Sequence, residues 1–451
     1  MTVHQNTIEA LLPRPGARRH VASPVRYFAS ALFRVARAVL MPLTWALASS
    51  VAVAAAPSER AAARASAPAV TEVAPEQAAA SPEATAASAQ TVPPPTPDAR
   101  VAEPEEMARR ARPLTLFGEA ITPGERRRLS WSPPDTFEGL SAPTPVLVSH
   151  GSEPGPVLCL TGAVHGDEIN GIEIIRRVFS DLDPEALAGS VIGIPIVNQV
   201  GFRRGSRYLP DRRDLNRYFP GTRDGSSASR IAHSLFYEVI VHCDLLVDLH
   251  TGSFHRTNLP QLRADLAMPQ VKDLAAAFGG MVVVHSVGTE GTLRREASHR
   301  GIPTVTLEAG EAQRVQVDVV RDGAARIGTL MHNLGMTRRL FRWPQREPTY
   351  LNSRWFRAEQ GGLFISRVDL GEHVESGEEL GVVVDPITGG EAPLVSPWTG
   401  RVLGMALNQV VRPGYALFHF GIGDGSERAV EDADAAAPGG AGREVMEAEM
   451  D

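Results

Sequence analysis

Two apolar runs constrain the fold of this chain more than anything else in it, because each ends on side chains that seek a metal. Val157-Leu158-Cys159-Leu160 leads through Thr161-Gly162-Ala163-Val164 to His165 and Glu168. Leu245-Leu246-Val247-Asp248-Leu249 leads directly to His250. Apolar runs of this length, without polar alternation, mark strands buried on both faces, as in parallel sheets. Open α/β sheets form their sites beyond the carboxyl ends of the strands, so one such sheet would bring all three side chains together. His165 and Glu168 lie three residues apart where a strand gives way to a helix, so one short loop can aim both at a single point. Neutral imidazoles and a carboxylate suit Zn²⁺, and three protein ligands leave a fourth position open, the mark of a catalytic rather than a structural zinc site. An HxxE pair is common by chance and a strand-end His is often an ordinary polar residue, so the reading needs further matches.

The surrounding pattern supplies a fold class. Strands are predicted at about Val157 to Val164, Val191 to Val197, Leu245 to Leu249, Met281 to His285 and Thr304 to Leu307. Helical patterns alternate with them over Ile169 to Leu182, Ala228 to Val241, Val271 to Phe278 and Val315 to Asn333, the last closed by Gly335. Such alternation predicts an α/β domain with a mixed, mainly parallel sheet flanked by helices. Residues 113 to 155 read as a lead-in hairpin punctuated by Pro123-Gly124 and Gly155-Pro156.

Further matches are Asp214-Leu215-Asn216-Arg217 within NQVGFRRGSRYLPDRRDLNRYFPG, and Glu308 within GIPTVTLEAG. With HGDE first, DLNR second, the strand-end His third and a strand-closing Glu last, the chain resembles the succinylglutamate desuccinylase/aspartoacylase family, relatives of the zinc carboxypeptidases. Asn198, Gly201, Phe202 and Phe219-Pro220-Gly221 fit the same pattern, and the resemblance covers roughly residues 113 to 423. It implies one zinc per chain held by His165, Glu168 and His250, with Glu308 as general acid/base. It also implies that Asn216 and Arg217 hold a substrate carboxylate and that Arg207 stabilises the oxyanion. Those roles suit the chemistry: a guanidinium offers a planar fork to a carboxylate, and a carboxylate within reach of water can carry its proton to a leaving amine. Arg203 and Arg204 are nearby alternatives to Arg207, and a solvated surface charge is the bland reading of each. Asp248 reads equally as a partner of the ligating His250, a helix cap or a strand-end surface charge.

After Trp343-Pro344 the helical period disappears, and residues 350–423 read as strands and Gly turns. Gly371-Glu372-His373-Val374-Glu375-Ser376-Gly377 is answered by Gln409-Val410-Val411-Arg412-Pro413-Gly414, which resembles the lipoyl-like sandwiched barrel carried by many bacterial family members. The segment contains no Lys to acylate, so a structural β-barrel beside the site is expected, not a carrier. The catalytic domain is placed at 113–345, preceded by a disordered Ala/Pro-rich linker at 57–112 that cannot bury enough surface to fold.

Residues 1–56 read as a leader. Arg26, Arg34 and Arg37 precede an uncharged run over residues 38–56 that ends in small residues, as in a secretory signal peptide, or, uncleaved, a membrane anchor. An exported, periplasmic protein or one anchored facing the periplasm is expected, and a cytoplasmic one if the extension is no leader. Residues 424–451 read as an acidic disordered tail, whose nine acidic and two basic side chains account for the chain's net charge of −7. The rest is therefore neutral overall, which argues against a nucleic-acid partner. The two cysteines, Cys159 and Cys243, fall in predicted core strands and are expected to be free thiols.

The function classes left are a zinc amidohydrolase cleaving an N-acyl bond of a small carboxylate-bearing substrate, an exported metallocarboxypeptidase acting on peptides, and a non-catalytic exported binding protein. Intact His165, Glu168, His250 and Glu308 favour an enzyme.

Overall fold

The computed structural model describes residues 114–133, 143–253, 255–338, 347–407 and 409–423. The leader, the linker and the acidic tail read from the sequence lie outside the described residues.

The chain opens with a short hairpin, β1 (Leu114–Leu116) and β2 (Glu119–Ile121), turned at Phe117-Gly118. β3 (Glu125–Trp131) pairs antiparallel with β4 (Thr144–His150). The sheet centre then assembles from β5 (Glu153–Gly162), β6 (Ala188–Ile194), β7 (Leu245–Gly252), β8 (Arg256–Ala264), β9 (Val282–His285) and β10 (Thr304–Glu311). Across it the order is β4-β6-β5-β7-β10-β8. The run from β6 to β10 is parallel and both flanks are antiparallel, so the sheet is mixed with a parallel core.

Alternation along these strands feeds two cores. Cys159 and Leu246 face one, shared with Leu235 and Phe236 of a helix over Ser227–Glu238. Leu158, Leu160, Val247 and Leu249 face the other, where Ile174, Ile175, Val178 and Phe179 of α1 (Asn170–Asp181) pack. Next come a short α2 (Gln199–Arg204) and the helix just described, α3, whose first turn is capped by Ser226 Oγ accepting from the Ser229 N–H. α4 (Pro269–Ala277), α5 (Leu293–His299) and α6 (Val317–Asn333) complete the cover. Gly335 closes α6 as expected, with φ +73°. The Gly335 N–H reaches His332 O and the Met336 N–H reaches Met331 O at 2.8 Å, the paired bonds of a Schellman end.

No strand is predicted from the sequence over β8, whose run RTNLPQLRA contains Pro260, a residue with no N–H to give a ladder. The structure accommodates it at a change of neighbour: a later strand, Gly400–Ala406, pairs with Arg256–Asn258, and β9 pairs with Gln261–Ala264. Pro260 falls between the two ladders, where its missing N–H costs nothing.

The C-terminal region is β-rich, with β11 (Thr349–Tyr350), β12 (Ser353–Arg357), β13 (Gly362–Ser366), β14 (His373–Val374), β15 (Glu379–Val384), β16 (Glu391–Val395), β17 (Gly400–Ala406), β18 (Val410–Val411) and β19 (Ala416–Ile422). β16-β15-β13-β18 form a sheet of their own, while β17, β19 and β12 continue the central sheet beyond β8. Phe364, Leu380, Val383, Leu394, Phe418 and Phe420 make the core between them.

One expectation is corrected. Cys159 and Cys243 are joined in a disulfide, with Cα atoms 5.8 Å apart across a sequence separation of 84. Strands β5 and β7 set Cys159 opposite Leu246, and the short 3₁₀ turn Ile240–His242 before β7 ends on Cys243 within bonding reach of Cys159. Each cysteine alone looks like a core hydrophobe, and only the register shows that they meet.

Candidate metal centre

β5 ends in a sharp turn that delivers His165 and Glu168. Gly166 can occupy it because it has no side chain: a Cβ there would lie 2.1 Å from Gly201 C and 2.2 Å from Phe202 N. Asn198 braces the facing loop, its Oδ1 accepting the Gly201 N–H at 2.8 Å and its Nδ2 donating to Arg207 O at 3.2 Å. These are packing reasons for residues that the sequence shows only as motif neighbours.

His165, Glu168 and His250 converge as expected, and none is more than 5% exposed. Glu168 Oε1 lies 2.8 Å from His165 Nδ1 and Oε2 lies 2.9 Å from His250 Nδ1, while the two Nδ1 atoms are 3.1 Å apart. Asp248 Oδ2 lies 2.7 Å from His250 Nε2 and Thr161 Oγ1 donates to Asp248 Oδ1 at 2.6 Å, so Asp248 is the buried partner of a ligating-type histidine, neither a cap nor a surface charge. With the ring proton drawn to Asp248, His250 Nδ1 keeps its lone pair. Donor atoms of His250, His165 and Glu168 thus crowd one small volume, where positive charge, either a ring proton or a bound cation, offsets their repulsion. This donor set, two imidazole nitrogens and one carboxylate, fits Zn²⁺. Among the described residues it is the group of three or more His, Cys, Asp or Glu arranged to hold a metal.

Charge reinforces the geometry. Burial works against ionisation of His250, but Asp248 and Glu168 outweigh it and raise its pKa well above the ordinary value. Burial and the Arg207 charge oppose His165, yet Glu168 and Asp214 prevail and raise it too. Glu168 is held far below the carboxylate range, His165 and His250 overcoming its desolvation. Asp214 is likewise depressed against burial, chiefly by His165 and Arg207. The pocket floor is thus built to surround positive charge with anions.

Arg207 is the arginine of its loop that enters the site; Arg203 and Arg204 lie exposed on α2. Its Nη2 is anchored on Asp214 Oδ2 at 2.9 Å, and Nη1 stands 3.1 Å from both His165 Nδ1 and Glu168 Oε1. Asp214, to which sequence reasoning gave no role, therefore fixes Arg207. It also lies 3.2 Å from His165 Nε2, an electrostatic contact without hydrogen-bond alignment. The same Asp caps the 3₁₀ turn Leu215–Arg217, its Oδ1 accepting the Asn216 N–H at 2.9 Å. Asn216 Oδ1 accepts the Leu293 N–H at 2.8 Å, tying the turn to the start of α5. Arg217 Nη1 donates to Asn216 O at 2.8 Å.

Glu308 sits on β10 directly across from His250 in the parallel register. Asn258 Nδ2 donates to Glu308 Oε2 at 3.0 Å, and Arg263 Nε lies 3.4 Å from Oε1. All seven residues singled out from the sequence line one cavity: His165, Glu168, Arg207, Asn216, Arg217, His250 and Glu308. Sequence reasoning missed others in the wall, chiefly Arg256, Asn258 and Arg263 of β8, Arg294 of α5 and Trp355 of β12. Trp355 shows that the C-terminal region helps to build the cavity.

Residues 154–334 match the family model described as the succinylglutamate desuccinylase/aspartoacylase catalytic domain. The chain is 29% identical over 262 residues to N-alpha-acetyl-L-2,4-diaminobutyric acid deacetylase of Halomonas elongata, covering 55% of this chain and 76% of that protein. Among solved structures it is similar to a succinylglutamate desuccinylase/aspartoacylase from Rhodobacter sphaeroides, with 28% identity and a TM-score of 0.59 over 65% of this chain and 95% of that one. It is also similar to the product-bound ectoine utilization protein EutE (DoeB) from Ruegeria pomeroyi, with 25% identity and a TM-score of 0.59 over 66% of this chain and 94% of that one.

Proposed function

Because the chain belongs, through residues 154–334, to the succinylglutamate desuccinylase/aspartoacylase family, we propose that it is a zinc-dependent N-acyl amino acid deacylase. Its standing as an enzyme of the deacylase type rests on that family and on its relatives, and removes the non-catalytic alternative. The observation that carries the finer reading is the convergence of His165, Glu168 and His250 in one cavity with Glu308, Asn216 and Arg217.

His165, Glu168 and His250 would hold the metal, which when bound supplies Lewis-acid polarisation of the scissile carbonyl and acidifies water. Arg217 and the Asn216 amide orient the substrate through its carboxylate. Glu308, steadied by Asn258, takes a proton from water and returns it to the leaving amine. Arg207, fixed by Asp214, presents a set positive charge where the carbonyl oxygen becomes negative. The products are a free carboxylic acid and a free amino acid.

Residues 350–423 are read as a lipoyl-like barrel with a structural role, supported by their separate apolar core and the absence of Lys in that segment. Export is supported by the leader-like residues 38–56 and by the Cys159–Cys243 disulfide, a bond that persists in oxidising compartments.

The test is a screen of the zinc-loaded protein against N-acetyl, N-succinyl and longer N-acyl amino acids beside dipeptides with a free C-terminus. Amine release confined to acylated amino acids supports the deacylase. Stepwise loss of C-terminal residues would point instead to a metallocarboxypeptidase.

A further inference from the structure

The small sheet β16-β15-β13-β18 turns one face to the core of the C-terminal region, where Phe364, Val383 and Leu394 pack. An antiparallel sheet with one covered face ordinarily alternates apolar-in and polar-out. This one is apolar on its outward face as well. Strand register sets Val410, Leu363 and Val384 side by side in one outward row, and Ile365, Val382 and Pro393 in the next. Leu363, Ile365, Val395 and Val410 are 41%, 46%, 46% and 71% exposed, and Ile387 in the β15–β16 turn is 91% exposed. Large apolar side chains exposed singly need no explanation, whereas a contiguous patch of them marks a contact surface.

Charge selects the occupant. The interior of the patch carries no charge, and Arg367 and Glu379 at one end of it neutralise each other in an ion pair. The two sides differ in sign. Glu391 of β16 continues the row of Leu363 and Val384, and Arg412 follows Val411 at the β18 edge. Both are exposed, and neither is held in an ion pair among the described residues. A second copy related by a two-fold axis along the strands lays β16 over β18, so that Glu391 meets Arg412 of the partner subunit on both sides of the axis. A two-fold axis across the strands would set like charge on like charge. Four strands about 4.8 Å apart, with about five residues of 3.4 Å each, offer a flat face of about 300 Å². A permanent interface covers roughly 800 Å² per partner, so contact through this face is reversible and depends on concentration.

We propose that the outward face of β16-β15-β13-β18 is a self-association surface that joins two copies of this chain face to face in a reversible two-fold dimer. The surface lies outside the catalytic cavity and does not depend on the deacylase reading. None of its residues lines that cavity, so variants in it keep their turnover.

The experiment is sedimentation velocity of the purified protein at low salt, from about 1 µM to about 500 µM, the range of weak encounters. The wild type should double its mass across that range. Ile365→Lys sets a charge in the middle of the face and should not. Glu391→Arg and Arg412→Glu should each weaken association about tenfold, because each brings like charges together twice per dimer. An equal mixture of those two variants should associate as the wild type does, since every pair is then opposite in sign. A wild-type mass that stays constant overturns the proposal, as does association undiminished in Ile365→Lys. Weakened single variants whose mixture does not recover overturn the two-fold arrangement. If Ile365→Lys does not fold, the two charge variants and their mixture decide alone. A wild type that stays monomeric but floats with phosphatidylcholine vesicles would assign the face to a lipid surface instead, and so refute self-association.

Discussion

Glu308 and His250 stand directly opposite each other on the parallel strands β10 and β7. In-register neighbours on adjacent strands send their side chains to the same face, so the sheet itself sets a carboxylate beside His250 of the candidate metal centre. That arrangement asks Glu308 to move a proton without holding the metal. Glu308→Gln should therefore keep full zinc content and lose about 10²- to 10⁴-fold in kcat, the usual contribution of a general acid/base. Elemental analysis and steady-state kinetics on one preparation check both halves, and near-normal turnover would remove Glu308 from the chemistry.

Arg217 should act through the substrate's free acid. Esterifying that acid removes a charge-assisted pair worth about 1.5–3 kcal/mol, which corresponds to a tenfold to hundredfold fall in kcat/KM. Arg217→Ala should abolish the difference between acid and ester. Equal hydrolysis of both by the wild-type protein would show that the anchor lies elsewhere.

The Cys159–Cys243 disulfide closes a loop over a sequence separation of 84 and ties β5, which leads to His165, to the turn just before β7, which carries His250. Its loss should cost about 2–4 kcal/mol, the usual range for such a cross-link. Thermal unfolding with and without reductant, and of Cys159→Ala/Cys243→Ala, should show the same downward shift in Tm. An unchanged Tm in the double variant would mean that the bond adds nothing to stability.

His419 is fully buried on β19, stacked at 4.7 Å on Trp355, with neither ring nitrogen hydrogen-bonded among the described residues. Burial, aided by the charge of Arg263, drives its pKa well below the ordinary value. In the unfolded chain it protonates below about pH 6.5, while in the fold it stays neutral, so the unfolded state takes up the extra proton. Stability should consequently fall as pH drops below about 6.5, by up to about 1.4 kcal/mol per pH unit from this residue. Denaturant unfolding of the wild type and His419→Phe between pH 7 and 5 should show the steeper loss in the wild type. Parallel curves would exclude His419 as the source.

Much of the catalytic half was legible because its strands are buried on both faces. The apolar run that became β5 leads to His165 and Glu168, those that became β7 and β10 carry His250 and Glu308, and a motif marks each. The rest lay in places without such a signal. β8 was hidden by Pro260 and by mixed burial along its length, and with it went Arg256, Asn258 and Arg263. Trp355 reaches the cavity from β12, some hundred residues after His250, through a sheet continuity that no local pattern announces. Asp248 had three equal readings until Thr161 and His250 were seen to bracket its carboxylate. The disulfide depends on strand register, which spacing in the sequence does not reveal.

The central claim is that His165, Glu168 and His250 form one metal centre on which hydrolysis depends. It is tested most directly by measuring zinc content and N-acyl amino acid hydrolysis together, in the wild type and in His165→Ala. The account expects one zinc per chain and turnover in the wild type, with both lost in the variant while circular dichroism shows the fold retained. A folded His165→Ala protein that still holds a full equivalent of zinc and hydrolyses the same substrate would contradict it.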